Sequence, residues 1–386
     1  MTLLQKIVFL ALVFSCLIPR RLFSQTEISY ASERNFLTTQ GKSPAQYVLE
    51  KFNAFDIVFL GEDHAIKQNL EFVESLIPQL YAKGIYTLGM EFGASEMQPK
   101  LDSLVSAPAY NEDVAREMMY YYNVGWAYKE YMEIYRSAWK FNRSLPENMR
   151  KFRILNISYQ YDWTKYQDQK TPENMSRIFW KGTPDDYRAR LIKREIMDKH
   201  EKILLYVGTP HAFTRYKPAS LSMNSDNFCQ FDNGWLGNRL LQMYPGKVFS
   251  MMLHQPFYNK GNKTPHLVSP AGGAIEVILK SLGNPPLGFD LVNTRLGNLR
   301  DSSTYSTCYG RFTLDQLFDG YIFLKPFSQL EGCTIDPLYF KNKSWEAVKK
   351  QIPDPDWNGS FNSLDEYWVR IKKFVNLPQR YRDVIQ

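Results

Sequence analysis

An α/β fold, a mostly parallel sheet flanked by helices, is predicted by three observations. Short, near-continuous apolar runs recur along the chain. Stretches with apolar residues at helical spacing separate them. Several of the runs end in glycine followed by ionisable residues. Strands that are apolar throughout are covered on both faces, as helices cover them in parallel sheets.

The elements follow in order. Asp56 to Gly61 (DIVFLG) is the first strand. Residues 65–83 carry Leu70, Phe72, Val73, Leu76, Ile77 and Leu80 near helical spacing, and Pro78 is expected to kink or split that helix. Ile85 to Glu91 (IYTLGME) is the second strand. Helical patterns fill roughly 94–142 and include Tyr120, Tyr121 and Tyr122, read as helix packing. Phe152 to Ile157 is the third strand, Asp185 to His200 a helix and Lys202 to Gly208 the fourth strand. Leu236 to Tyr244 is a helix, Lys247 to His254 the fifth strand and Gly273 to Ser281 a helix. Tyr321 to Leu324 is a late strand, and Ser344 to Val375 is helical. Neither repeats nor low-complexity tracts occur.

Composition narrows the class. The 386 residues are 44% hydrophobic and 23% charged, which excludes a disordered or collagen-like chain. The aromatic share of 15% is high and calls for large core filling or a bulky apolar ligand. The net charge is +7. Lys6, Arg20 and Arg21 supply three of these charges and residues 1–24 hold no acid, so residues 25–386 carry +4. That surplus implies no nucleic acid partner.

Residues 1–24 read as a signal peptide or N-terminal anchor. Lys6 precedes an apolar run, Ile7 to Pro19, too short to span a bilayer, and Ser24 is a candidate cleavage position. The expected location is therefore exported: periplasmic, cell-surface or secreted, with a membrane engaged only through that segment. Cys16 lies in a poor version of a lipoprotein box. Beyond it, Cys229, Cys308 and Cys333 allow at most one internal disulfide, and there is no CxxC or CxxH pair. Residues 25–325 are read as an α/β domain with a helical insertion at about 94–145, and 326–386 as a helical C-terminal extension.

In parallel sheets ligands bind outside the carboxyl ends of the strands. There the first strand runs into Gly61-Glu62-Asp63-His64, the second closes on Glu91 and the fourth ends in Gly208-Thr209-Pro210-His211. Glu62, His64, Glu91 and His211 are thus the candidate catalytic residues. A carboxylate beside an imidazole makes a general-base pair, and two His with two carboxylates are also enough to ligate a divalent metal. Either arrangement activates water. His254 is read as structural, His200 and His266 as surface residues. GxSxG, GxGxxG, GxxxxGK[ST] and HExxH are all missing.

These segments resemble the superfamily that joins ChaN-like haem-binding lipoproteins, Tiki-type proteases and erythromycin esterases. Ile57 to Leu60 with Gly61-Glu62-Asp63-His64 is similar to the ChaN-like strand and its GExH motif. Leu88 to Phe92 with Met97 to Asp102, Tyr131 to Ala138 with Phe152 to Asn156, and Leu204 to Ala212 resemble the following segments, and Asp319 to Leu324 a late strand. The likeness covers roughly 55–325. One residue, Asp63, stands where the esterase branch has two, Ala65 follows the His, and Ser158 stands where that branch tends to carry an Asp. Residues 213–235 and the tail after 325 match nothing in the family. The resemblance implies either water activation on an ester or peptide substrate, with or without a divalent metal, or binding of haem without turnover.

Overall fold

Alternation along the strands builds two cores, one on each side of a single sheet. Ile57 and Phe59 of β1 (Ile57–Glu62), Ile203, Leu205 and Val207 of β4 (Ile203–Gly208) and Met252 of β5 (Val248–Leu253) enter one core. Val58 and Leu60, Leu204 and Tyr206, and Met251 and Leu253 enter the other. Successive strand residues point to opposite faces, so apolar residues at every position require cover on both. The computed structural model describes residues 29–167, 169–221, 228–261, 264–354, 356 and 359–385. The expected export segment, 1–24, with Cys16 and Ser24, lies outside the described residues.

The remaining strands of the sheet are β2 (Thr87–Ala94), β3 (Arg153–Ser158), β6 (Leu287–Asp290) and β7 (Gly320–Phe323). The order is β6-β7-β5-β1-β4-β2-β3, parallel except for β6, which closes one edge antiparallel to β7. The expected strands are all present, shifted by up to three residues. The short edge strand β6, with its Gly and Asp, has too weak a pattern to be read from the sequence.

Helices α1 (Ala31–Gln40), α2 (Pro44–Lys51), α3 (Lys67–Ala82), α4 (Gln98–Ser106), α5 (Glu112–Tyr122) and α6 (Lys129–Ser144) precede β3. Then come α7 (Pro172–Ile178), α8 (Pro184–Glu195), α9 (Leu236–Met243), α10 (Ala274–Ser281), α11 (Leu314–Leu317), α12 (Trp345–Gln351), α13 (Leu364–Phe374) and α14 (Leu377–Arg380). Elements α3 to α6, α12 and α13 cover the face of Leu60 and Tyr206, while α1 and α8 to α11 cover the opposite face. No helix of the described residues is long and apolar enough to cross a membrane.

Two expectations are corrected. Pro78 does not split α3; it lies on the exposed face, where the carbonyl that proline leaves without a helical donor is open to solvent. The tail is not one helix: Pro353 disfavours helical backbone at Ile352, which is extended, and α12 ends there. Tyr120 is buried against Tyr339 and Phe340, in keeping with a packing role. Cys229 and Cys308 form a disulfide, and Cys333 is a buried thiol.

Candidate functional site

Glu62 is the last residue of β1. Strand alternation turns it to the face that Leu60 shares with Tyr206 of β4, the residue paired with Leu60. It is 1% exposed and accepts three hydrogen bonds. Tyr131 Oη, from α6, donates to Oε1 at 2.7 Å, His64 Nδ1 lies 2.9 Å from the same oxygen, and Tyr206 Oη donates to Oε2. Burial pushes the Glu62 carboxyl above its usual range, only partly opposed by His64 and the two phenols.

With Nδ1–H donated to this carboxylate, the neutral ring carries its one basic lone pair on Nε2. The ring stands edge-on to Phe92 and Trp126, with centroids 5.5 and 5.2 Å away. Its side chain is 34% exposed. Burial disfavours charge on the ring, but Glu62, with help from Glu91 and Asp63, outweighs it and raises the His64 pKa.

Glu91, on β2, anchors a second constellation. Its Oε2 accepts from Gly208 N at 2.8 Å, and its Oε1 lies 3.1 Å from His211 Nε2 and 3.2 Å from Arg188 Nη2. Asp185, in the first turn of α8, takes His211 Nδ1 at 2.8 Å and Leu236 N at 3.0 Å on Oδ2, and Arg188 Nη1 at 2.6 Å on Oδ1. Arg188 is 3% exposed and also reaches Ser158 Oγ at 2.8 Å. Two carboxylates thus balance one guanidinium and one imidazolium.

Both ring nitrogens of His211 face carboxylates, which fixes it as a cation. Burial and the nearby Arg188 guanidinium work against this, but Glu91 and then Asp185 carry its pKa to about 9. Burial also pushes Glu91 up, yet His211 and Arg188 hold it well below the usual range. A pKa raised on folding stabilises the fold fully below the unfolded value, about 6.5 for His. That contribution is lost as pH rises through 9, and His64 acts in the same direction. Urea unfolding is therefore expected to show stability falling from pH 6.5 to 9, with a flatter profile in His211→Gln.

The two constellations meet at Gly208. A Cβ there would lie 2.7 Å from His64 Cε1, 3.1 Å from His64 Nε2 and 3.4 Å from Glu91 Oε2. Adjacent strands β1, β4 and β2 thus bring together the four residues expected from the sequence. Gly208→Ala is expected to push the His64 ring off Glu62. Its His64 NMR titration should move toward the ordinary value while the chain stays folded, and an unshifted titration would show that the ring has room to spare.

The expectation of a metal held by Glu62, His64, Glu91 and His211 does not fit this geometry. Among the described residues no three His, Cys, Asp or Glu side chains are placed to hold an ion. Three donors occupy Glu62, both ring nitrogens of His211 face carboxylates, and Arg188 already supplies positive charge to Glu91.

A cavity of about 650 Å³ opens over His64. Tyr258 and Tyr305 line one side, and Phe374, Arg380 and Tyr381 of the C-terminal segment line the other. Two buried indole N–H groups, those of Trp126 and Trp235, have no acceptor among the described residues. Trp126 packs on His64, and Trp235 lies 5.4 Å from His211, centroid to centroid. His254, by contrast, is buried between Tyr321 and Glu276 and stacked on Phe327. His200 and His266 are exposed.

Sequence reasoning missed Tyr131, Tyr206, Asp185, Arg188 and Arg380. Tyr206 was within reach, since Glu62 pairs with Gly208 and period two then puts Tyr206 on the face of Glu62. Asp185 and Arg188 look like any i,i+3 pair on a charged helix.

Residues 48–202 match the model of the family described as "Haem-binding uptake, Tiki superfamily, ChaN". No curated protein matches the chain. Solved structures similar to it include a protein of Bacillus cereus, with 11% identity, a TM-score of 0.48 and cover of 79% of this chain and 98% of that one. A mutant of the erythromycin esterase EreC in its open conformation has 12% identity and a TM-score of 0.45, over 71% of this chain and 91% of that one. A succinoglycan biosynthesis protein has 11% identity and a TM-score of 0.45, over 76% and 96%. The segment that matches this family model, residues 48–202, includes Gly61-Glu62-Asp63-His64, Glu91, Asp185 and Arg188, so the likeness read from the sequence and the family match fall on the same residues.

Proposed function

We propose that the protein is an exported hydrolase-like protein in which Glu62 and His64 activate water against an ester or peptide substrate. The observation that carries this reading is the 2.9 Å contact between His64 Nδ1 and the buried Glu62 carboxylate, which leaves Nε2 as the base beside a cavity of about 650 Å³. In the reaction, Nε2 takes a proton from water as the water oxygen attacks the carbonyl. Glu62 holds the charged ring, and the proton passes to the leaving group. Glu91 and His211 fix the carboxyl end of β4 beside this base, since His211 has no lone pair left to offer. The disulfide between Cys229 and Cys308 supports export, because such bonds persist in oxidising compartments.

The test is a panel of esters and peptides offered to the purified protein, with pH–rate profiles for any substrate turned over. A base must be neutral, so the rate is expected to rise with pH through the raised His64 value. In Glu62→Gln the rise should move to lower pH and the plateau fall. A pH profile unmoved in Glu62→Gln would remove His64 as the base.

Haem binding without turnover is a second reading, favoured by the family description over residues 48–202. The donors present suit it: haem takes His or Tyr as axial ligand, and His64 and the 60% exposed Tyr258 border the cavity, with Phe257 and Phe374 as apolar wall. Haemin titration giving a Soret band that disappears in His64→Ala or Tyr258→Phe supports it. Hydrolysis without such a band favours the first reading.

A further inference from the structure

Arg380 lies 316 residues from His64 in the chain, yet it donates from Nη1 to the His64 carbonyl oxygen at 2.9 Å. Its Nη2 pairs with Asp63 Oδ2, which also accepts from Tyr381 Oη. Asp63 Oδ1 in turn accepts from His64 N at 3.0 Å. One guanidinium thus grips the backbone of the base and the side chain before it. The next residue, Ala65, is buried with φ +62°, a left-handed conformation that is unfavourable for a non-glycine residue and persists only where surroundings hold it. Tyr131 Oη accepts its N–H and Cys333 N donates to its carbonyl, each at 3.0 Å. The segment that brings Arg380 is seated by a small cluster of its own: Leu377, Tyr381 and Val384 against Ile66, Phe327 and Leu330.

We propose that Arg380, aided by Tyr381, is the positioning residue of His64: its fork on Asp63 and the His64 carbonyl sets the turn that keeps the imidazole on Glu62. The C-terminal segment is then part of the site. The proposal rests on the reading of Glu62 and His64 as a base pair, but its test does not require a known substrate.

Loss of Arg380 acts on His64 in two opposite directions, which makes the test decisive. Glu62 from β1, Glu91 from β2 and Asp63 from the turn act on the charge of the ring, Arg380 from α14 holds the His64 carbonyl, and Arg370, Lys373, Arg382 and Asp383 border the same cavity. If Arg380 is only a nearby cation, its removal raises the His64 pKa further. If it positions the ring, its removal frees the turn, the Glu62 contact loosens and the pKa falls toward the ordinary value of about 6.5. The experiment is an imidazole NMR titration of the full chain as wild type, Arg380→Gln, Arg380→Lys and Glu62→Gln, with thermal unfolding alongside. Arg380→Gln is expected to fall toward the Glu62→Gln value and to lose the Nδ1–H signal. Arg380→Lys keeps the charge but not the fork, and should lie between.

An Arg380→Gln protein with His64 at or above its wild-type pKa and the Nδ1–H signal retained overturns the proposal. Should Arg380→Gln not fold, Arg380→Lys is read alone: a fall supports positioning and an unchanged value overturns it. Where a substrate has been found, kcat is expected to drop about 10-fold in Arg380→Lys with KM little changed. If no substrate is turned over, the hydrolase reading fails while the titration still decides the role of Arg380.

Discussion

His64→Ala is expected to lower turnover of any substrate the protein hydrolyses by about 10²- to 10⁴-fold, the range that a positioned general base contributes. The chain should remain folded. The side chain is 34% exposed, and Glu62 keeps Tyr131 and Tyr206 as donors when the imidazole is removed. The cost is then that of one hydrogen bond to a charged group, about 1.5–3 kcal/mol, which urea unfolding measures. Added imidazole, small enough for the cavity over this position, should restore part of the rate. Full activity in His64→Ala would end the hydrolase reading, and partial rescue by imidazole would tie the loss to the missing base.

The largest effect on stability belongs to Arg188. Its guanidinium is 3% exposed and spans Glu91, Asp185 and Ser158. Arg188→Ala leaves two buried carboxylates sharing His211 alone. Breaking a buried ion pair from one side costs about 3–5 kcal/mol, since the charge left uncompensated is buried away from water. Equilibrium unfolding is expected to show that loss near pH 7, a larger one than in His64→Ala. A cost under about 1 kcal/mol would mean that water already reaches the cluster and that its charges are not desolvated. Adding Asp185→Asn should recover part of the loss, because the double variant removes one of the stranded charges.

The legible parts of this chain are those that local pattern controls. Continuous apolar runs such as IVFL and ILLYV leave few alternatives to buried parallel strands, and the glycines that end them marked where Glu62 and His211 would stand. Long-range complementarity was not legible. Nothing near Asp63 in sequence announces Arg380, because the pair depends on how a tail without family likeness folds back. Tyr131 and Tyr206 read as apolar filling, and their hydroxyls gained meaning only when Glu62 was found between them. The alternative of a metal shell on the same four residues meets the same difficulty. Residue types predict which ligands are possible, but whether a lone pair is free depends on partners such as Arg188 and Asp185 that only the fold reveals. The high aromatic content resolves in part as packing, with Phe92 in contact with Trp126, Tyr131 and Tyr206 behind the base.

The central place of β1 in the sheet has a consequence for biogenesis. Glu62 meets Tyr206 across 144 residues of chain, and Asp63 meets Arg380 across 317. Contacts this distant close late, after much of the chain entropy has been surrendered. During synthesis, β1 emerges long before either sheet neighbour exists and must wait, apolar and unpaired, for β4 and β5. Until Arg380 and Tyr381 arrive, the turn at Asp63 and His64 lacks the partners that hold it.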